Sequence, residues 1–366
     1  MSSSWLVLSR ENLVHNLTGL RRLVGQARIM AVVKGNAYGA GAAAIARVLA
    51  SEGVEAFAVA NVAEAVELRE HGLAGTILCL TFFSPDEVDA ILAHDLRPAV
   101  FTMDAARTLS ERARAGGRRV RVWIKVDTGL GRLGVHFQEA GAFIREVARQ
   151  PHLEIEGLFT TLSENPERDP IQVKRLREVR VEASGLGLFA LSAASSGGIL
   201  SLRESYLDVV RPGITLLGLD PSARERLDLA LLREADLRPV VTWKTRVGYV
   251  KVVPRGGQVG YGMQPPLDRD TRVATLTVGW ADGYPWGMAK AGEVLICGRR
   301  CPVLSVSANS TMVDATTVTG AAIGDEVVLL GRQGNGEIPA AKIAVVVNGV
   351  YRMLIGIPRS VPRVVV

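Results

Sequence analysis

From residue 28 to residue 218 one unit repeats: a short apolar run rich in β-branched residues, then a stretch whose apolar residues recur at helical spacing. "RIMAVVK" leads into "GAAAIARVLASEG", "EAFAVAN" into "VAEAVELREHG", "TILCLTFF" into "SPDEVDAILAHD", and "RPAVFT" into "DAARTLSERARAGG". "RVRVWIKVD", "LEIEGLFTTL", "LFALSAAS" and "YLDVVRPG" continue the series. Runs that are apolar throughout, rather than at alternate positions, belong to strands covered on both faces, and intervening helices make such strands parallel. About eight of these units are what a (β/α)8 TIM barrel requires. After about residue 232 the texture changes to "VVTWKTRVGYVKVV", "TRVATLTVGW", "AGEVLICGRRCPVLSV" and "GDEVVLLGRQ", strands joined by glycine-rich turns. The chain therefore reads as α/β: a TIM barrel over 9–228, followed by a mainly antiparallel β domain made of 1–8 and 232–366. The opening "SSWLVLSR" is a short strand expected to pair with that second domain.

Composition sets few further limits. Hydrophobic residues make up 48% and charged residues 22% of the 366, ordinary values for a globular chain with a sizeable core. No apolar run approaches the roughly 20 residues of a membrane span, and no charged-then-apolar leader stands at the start, so the chain is read as cytoplasmic and not membrane-bound. The net charge of +6 comes from scattered Arg and Lys. Its densest cluster, "ERARAGGRRVR", has no interleaved aromatics and reads as a solvated face, not a nucleic-acid patch. Cys79, Cys297 and Cys301 offer no disulfide framework. Cys297 and Cys301 flank "GRR" in an expected hairpin, with no histidine nearby to complete a zinc site, so no metal is expected.

In a barrel, chemistry sits at the carboxyl ends of the strands. Lys34 stands there on strand one, in "AVVKGNAYGAG", with Gly35 and Gly39 clearing space around it. A buried ammonium is costly unless it is paired or chemically changed. Lys34 is thus either a strand end pointing into water or an amine joined to something as an imine. Strand five ends in "KVDTGLGRLG", which supplies Lys125, Asp127 and Arg132. "AASSGGIL" after strand seven places Ser195 and Ser196 before a short helix, either a plain turn or an anion cradle. "VVRPGI" brings Arg211 to the same rim, where it could equally be an ordinary ion-pair partner. A lysine, an anion cradle and an arginine on one barrel mouth fit pyridoxal 5'-phosphate.

On these motifs the chain resembles the alanine racemase family over essentially its whole length. The resemblance implies a pyridoxal-phosphate barrel, a carboxyl-terminal β domain and a racemase that interconverts L- and D-amino acids. It implies that Lys34 binds the cofactor and acts as one base, with Tyr38 beside the cofactor. It assigns Arg132 to the cofactor and the substrate carboxylate, with Lys125, often carbamylated in the family, orienting it. Ser196, next to Ser195, is the phosphate-binding serine. Arg211 bonds the pyridine nitrogen, and the amides of Gly213 and Ile214 reach the phosphate. Tyr261 and Pro362 are further landmarks. Because the family completes its site across a subunit boundary, a head-to-tail homodimer with shared active sites is expected, with "GWADG" and "SANST" facing the partner's cofactor.

The departures are equally specific. The family places a catalytic tyrosine in "GYADG"; this chain reads "VGWADGYP", with Trp280 there. An indole donates through one N–H and shuttles no proton near neutral pH. Thr161 stands at a histidine position, Ser195 at an asparagine position and Leu217 at a tyrosine position. Ala308 replaces a methionine beside Asn309, in a segment whose backbone amide meets the substrate carboxylate in the family. Arg359 stands where some members use tyrosine on the phosphate, and an arginine can bind it too. The leading expectation is a racemase in which Tyr284, Tyr261 or a water serves the second face. The alternatives are another pyridoxal-phosphate reaction on amino acids (decarboxylation, aldol cleavage or elimination) and a catalytically impaired cofactor-binding paralogue.

Overall fold

The structure is a computed structural model that describes residues 4–187, 189–221, 227–262 and 265–366. The chain divides into two compact units. One comprises Leu13–Ala37 and Ala42–Arg238; the other comprises the residues up to Asn12, Tyr38–Gly41 and Pro239–Val366. The tetrapeptide Tyr38–Gly41, embedded in the first stretch of sequence, thus clusters with the β-rich unit.

The first unit is a nearly closed barrel of eight parallel strands: Arg28–Val32, Ala56–Val59, Thr76–Cys79, Arg97–Val100, Val120–Asp127, Leu153–Phe159, Ala190–Ser192 and Val209–Val210. Leu188, with which the sequence begins the seventh run, lies outside the described residues. Strand eight pairs with strand one, Val209 opposite Arg28. Strands seven and eight form no ladder; a parallel bridge between Ser195 and Arg211, beyond their ends, joins their backbones. Phe57, Ala58 and Val59 are fully buried, as strands covered on both faces should be. The helices begin where the sequence supplies caps: Asn61 accepts from the Glu64 amide at 3.0 Å, and Thr102 from the Ala105 amide at 3.3 Å.

One irregularity shapes the barrel interior. Between strands five and six the register shifts, so that Val122 faces Ile155 while Trp123 faces Gly157. The bulge re-aims Glu156, which accepts the Trp123 indole N–H at 2.8 Å. Gly157 is required here, because a Cβ would lie 2.6 Å from the Trp123 ring. Below this layer, at the amino ends of the strands, a cavity of about 480 Å³ is lined by Arg28, Met30, Glu55, Trp123 and Glu156. It lies at the end of the barrel opposite Lys34.

The second unit is built on a closed ring of six antiparallel strands. Val241–Val253 pairs in turn with Thr271–Leu276, then Thr311–Asp314, Arg299–Val306, Glu293–Ile296 and Glu326–Gln333, which returns to Val241–Val253. Ser4–Leu8 adds to Val241–Val253 in antiparallel register, as the opening sequence led us to expect. The hairpin between Glu293–Ile296 and Arg299–Val306 turns at Cys297 and Gly298, both at positive φ (51° and 75°), the twist-matched turn for two-residue hairpins. Trp243 and Tyr284 fill the interior edge to face, 5.8 Å between ring centres. Among the described residues no helix is long and apolar enough to cross a membrane.

Candidate active site

Lys34 follows strand one and precedes an unusual backbone. Gly35, Asn36, Ala37 and Tyr38 all lie in the left-handed region, with φ of 61°, 56°, 51° and 55°. For three non-glycine residues this costs roughly 1–2 kcal/mol each, so the surroundings must impose the turn. The Ala37 amide donates to Val33 O at 2.7 Å, and Asn36 Oδ1 accepts from the Ala42 amide at 2.9 Å. In the β-rich unit Tyr38 is buried against Tyr351, ring centres 5.6 Å apart. A Cβ on Gly39 would lie 2.0 Å from Leu354 O, and Arg363 donates to Gly39 O at 2.7 Å. The same guanidinium also reaches the carbonyls of Ile357, Pro358 and Val361, so it ties Gly39 to the loop that carries Arg359. Arg359 itself is exposed.

Four cations gather on the carboxyl rim of the barrel. Lys34 is half-buried and has no hydrogen-bond or ion-pair partner among the described residues; burial, then Arg132 and Arg211, lower its pKa, while Glu64 acts the other way. Lys125 is buried, donates to Thr161 Oγ1 at 3.1 Å and lies over the Phe159 ring. Burial, together with Arg211, Arg132 and Lys34, lowers its amine to about 7, against a raising influence from Asp127. Arg211 is buried, donating to Ser192 Oγ, to Thr160 O at 2.6 Å and to Ala193 O at 3.4 Å. Burial lowers it to about 10, so it stays charged at neutral pH. Arg132 is exposed, on a loop folded by Asp127 Oδ1, which accepts from the amides of Gly129, Leu130 and Gly131 at 3.0–3.1 Å. Repulsion among these charges is relieved by an anion.

After strand seven the chain turns into a short helix. Ser195 is the extended residue before the short helix Ser196–Ser201. Buried Ser196 Oγ accepts from the Gly213 amide at 2.9 Å and lies 3.0 Å from Thr215 Oγ1. Ser196 is therefore brought against the 213–215 segment, which contains Gly213 and Ile214. No sequence motif points to Ser192. Its hydroxyl donates to Val209 O at 2.6 Å, which turns its lone pairs toward Arg211.

In the β-rich unit Trp280 is 56% exposed and begins the short turn Trp280–Asp282. Its amide donates to Ser307 O at 3.0 Å and the Ala281 amide to Ala308 O at 2.9 Å, so "GWADG" and "SANST" share one surface with Asn309 exposed at the tip. Gly279 permits this contact, since a Cβ there would lie 2.3 Å from Ala308 O. One expectation is corrected. Tyr284 was a candidate for the second base, but it is fully buried behind Trp243 and its phenol pKa is pushed up by that burial. Tyr261, the other tyrosine candidate, is 81% exposed.

A parallel barrel with an acceptor-less lysine, a charged arginine and a serine-lined cradle on its carboxyl rim defines an enzyme class built to hold an anionic, amine-reactive cofactor. The donor set fits pyridoxal phosphate: an amine of lowered pKa for the aldehyde, a charged guanidinium, and small-residue backbone for the phosphate. The alanine racemase N-terminal domain model matches residues 8–221 and the C-terminal domain model residues 240–365. An alanine racemase of Symbiobacterium thermophilum is 38% identical, covering 99% of this chain and 97% of that protein. One of Halothermothrix orenii is 36% identical, covering 98% and 96%. Among solved structures, alanine racemase of Clostridium difficile 630 superposes with a TM-score of 0.91 at 28% identity, covering 100% of this chain and 96% of that one. The Bartonella henselae alanine racemase, described with covalently bound pyridoxal phosphate, gives 0.86 at 26% identity, covering 100% of both. The chain belongs to the alanine racemase family.

Proposed function

We propose that this chain is a pyridoxal-phosphate-dependent amino-acid racemase of the alanine racemase type. The observation that carries the proposal is the lowered, acceptor-less amine of Lys34 on the same rim as charged, buried Arg211. Pyridoxal phosphate, when bound, supplies an aldehyde for the amine and a ring that withdraws electrons from the substrate Cα. Lys34 holds it and moves a proton at Cα on one face. Arg211 would hold the ring nitrogen as a hydrogen-bond donor that accepts no proton, and so would keep it neutral and limit side reactions. Ser196, with the amides of Gly213 and Ile214, binds the phosphate, supported by Ser195, Tyr38 and Arg359. Arg132 takes the substrate carboxylate, oriented by Lys125, whose amine is poised for carbamylation. The functional division is a cofactor-binding barrel over 9–228 and a β-rich domain of 1–8 and 232–366.

The second face is completed by another copy of the chain, head to tail, presenting Trp280, Ala308 and Asn309 on their shared surface. The indole excludes solvent and moves no proton, so water or Tyr261 serves that face. Enzyme incubated with a single alanine enantiomer in deuterium oxide tests the reading: deuterium enters Cα while optical activity decays. The absence of a titrating group on exposed Trp280 favours one competing reading, a reaction that needs a single face. Deuterium exchange with configuration retained would establish that alternative and overturn racemisation.

A further inference from the structure

The mechanism above leaves unused the carboxylate nearest in the fold to the Lys34 turn. Glu64 is the third residue of the helix Val62–Glu70, behind the cap Asn61. A glutamate at this position ordinarily folds back onto the amide of its own cap residue. Glu64 does something else. Its Oε2 accepts from the Ala60 amide at 2.8 Å, just past strand two, and its Oε1 accepts from the Gly35 amide at 2.7 Å, just past strand one. One half-buried carboxylate thus bridges the ends of two neighbouring barrel strands. Its partner on strand one is the first residue of the left-handed turn.

We propose that Glu64 is a positioning residue for Lys34, its carboxylate pinning the Gly35 amide and thereby holding the strained turn that aims the lysine into the barrel mouth. The charge matters as well as the shape. The groups acting on Lys34 are the guanidiniums of Arg132 and Arg211, with Lys125 close by, and Glu64 is the anion set against them. Neutralising Glu64 loosens the turn and leaves the lysine facing cations alone. An amide in its place offers one acceptor and one N–H₂ to two backbone donors, so one hydrogen bond becomes a donor–donor clash.

The proposal rests on Lys34 being the cofactor lysine, and the test separates the two claims. In full-length protein stripped of cofactor, the pH dependence of Lys34 acylation by acetic anhydride is followed by peptide mass spectrometry. Glu64→Gln should move the midpoint down by roughly half a unit to one unit. In reconstituted enzyme the same variant should lose about ten- to a hundredfold in kcat, with KM within about threefold, as for a misdirected base. Glu64→Asp keeps the charge but is one methylene too short to reach both amides. It should restore the labelling midpoint while kcat stays low. An unchanged midpoint and kcat in folded Glu64→Gln would overturn the proposal. If that variant does not fold, Glu64→Asp with wild-type kcat overturns it. Wild-type protein that takes up no cofactor at Lys34 would instead sink the functional reading and leave the labelling result standing.

Discussion

The two units carry their chemistry in opposite ways. On the barrel rim the reactive groups other than Arg132 are buried or half-buried and held from several sides: Arg211 by Ser192, Thr160 and Ala193, Ser196 by the 213–215 segment, the Lys34 turn by Glu64 and Asn36. On the β-rich unit the matching groups are open to solvent, Trp280 at 56% and Tyr261 at 81%. Buried groups have shifted proton affinities, since desolvation and like charges act strongly where water is excluded. Exposed ones acquire a role only from whatever covers them. The barrel rim is preorganised by its own contacts, and the β surface is open.

The contrast breaks most severely at Lys34. Lys34→Ala should abolish the yellow absorbance of bound cofactor and cost about 10²–10⁴-fold in activity, read by spectroscopy and by racemisation of alanine. Next comes the exposed face. Trp280→Tyr introduces a phenol where the indole moves no proton, and racemisation should rise about tenfold or more; no rise would mean that Trp280 does not face the reacting carbon.

A smaller, pH-dependent effect belongs to Lys125. Its amine, lowered from 10.5 to about 7, is charged below that pH and neutral above it, and carbon dioxide adds only to the neutral form. Stripping bicarbonate at pH 8 should lower activity several-fold and resupply should restore it, whereas at pH 6 neither treatment acts. By linkage, the unfolded chain binds more protons at this group between pH 7 and 10.5, so its contribution to stability rises with pH across that window. The smallest effect is at Tyr284. Its hydroxyl is buried without a partner among the described residues, so Tyr284→Phe should leave activity unchanged and alter stability by no more than about 1 kcal/mol, in the stabilising direction. Thermal melts check the second part; a loss of turnover would return Tyr284 to the mechanism.

The rim was readable wherever a local motif coincided with a strand end. Lys34, Ser196, Gly213 and Arg211 are each placed by counting apolar runs, because a barrel gathers all its strand ends on one face. Glu64 and Ser192 were not readable. Their importance comes from which strand lies next to which, and neither stands in a distinctive local sequence. The same holds for the bulge at Glu156, where the extra residue is visible only against its partner strand, and for Tyr284, whose motif neighbours are exposed while it points into the core.

Sequence alone determined the eight apolar runs, the change to antiparallel texture after residue 232 and the residue types at the barrel mouth, because hydrophobic period and turn chemistry are local properties. Tertiary structure decided what those residues experience. Left-handed backbone at Asn36 and Ala37 is unfavourable in isolation, and the Glu64 carboxylate, from a distant part of the chain, holds the Gly35 amide that begins the turn. Proton affinity follows the same rule: Lys125 is an ordinary lysine in the sequence, and burial among three other cations makes it an amine that titrates near neutrality.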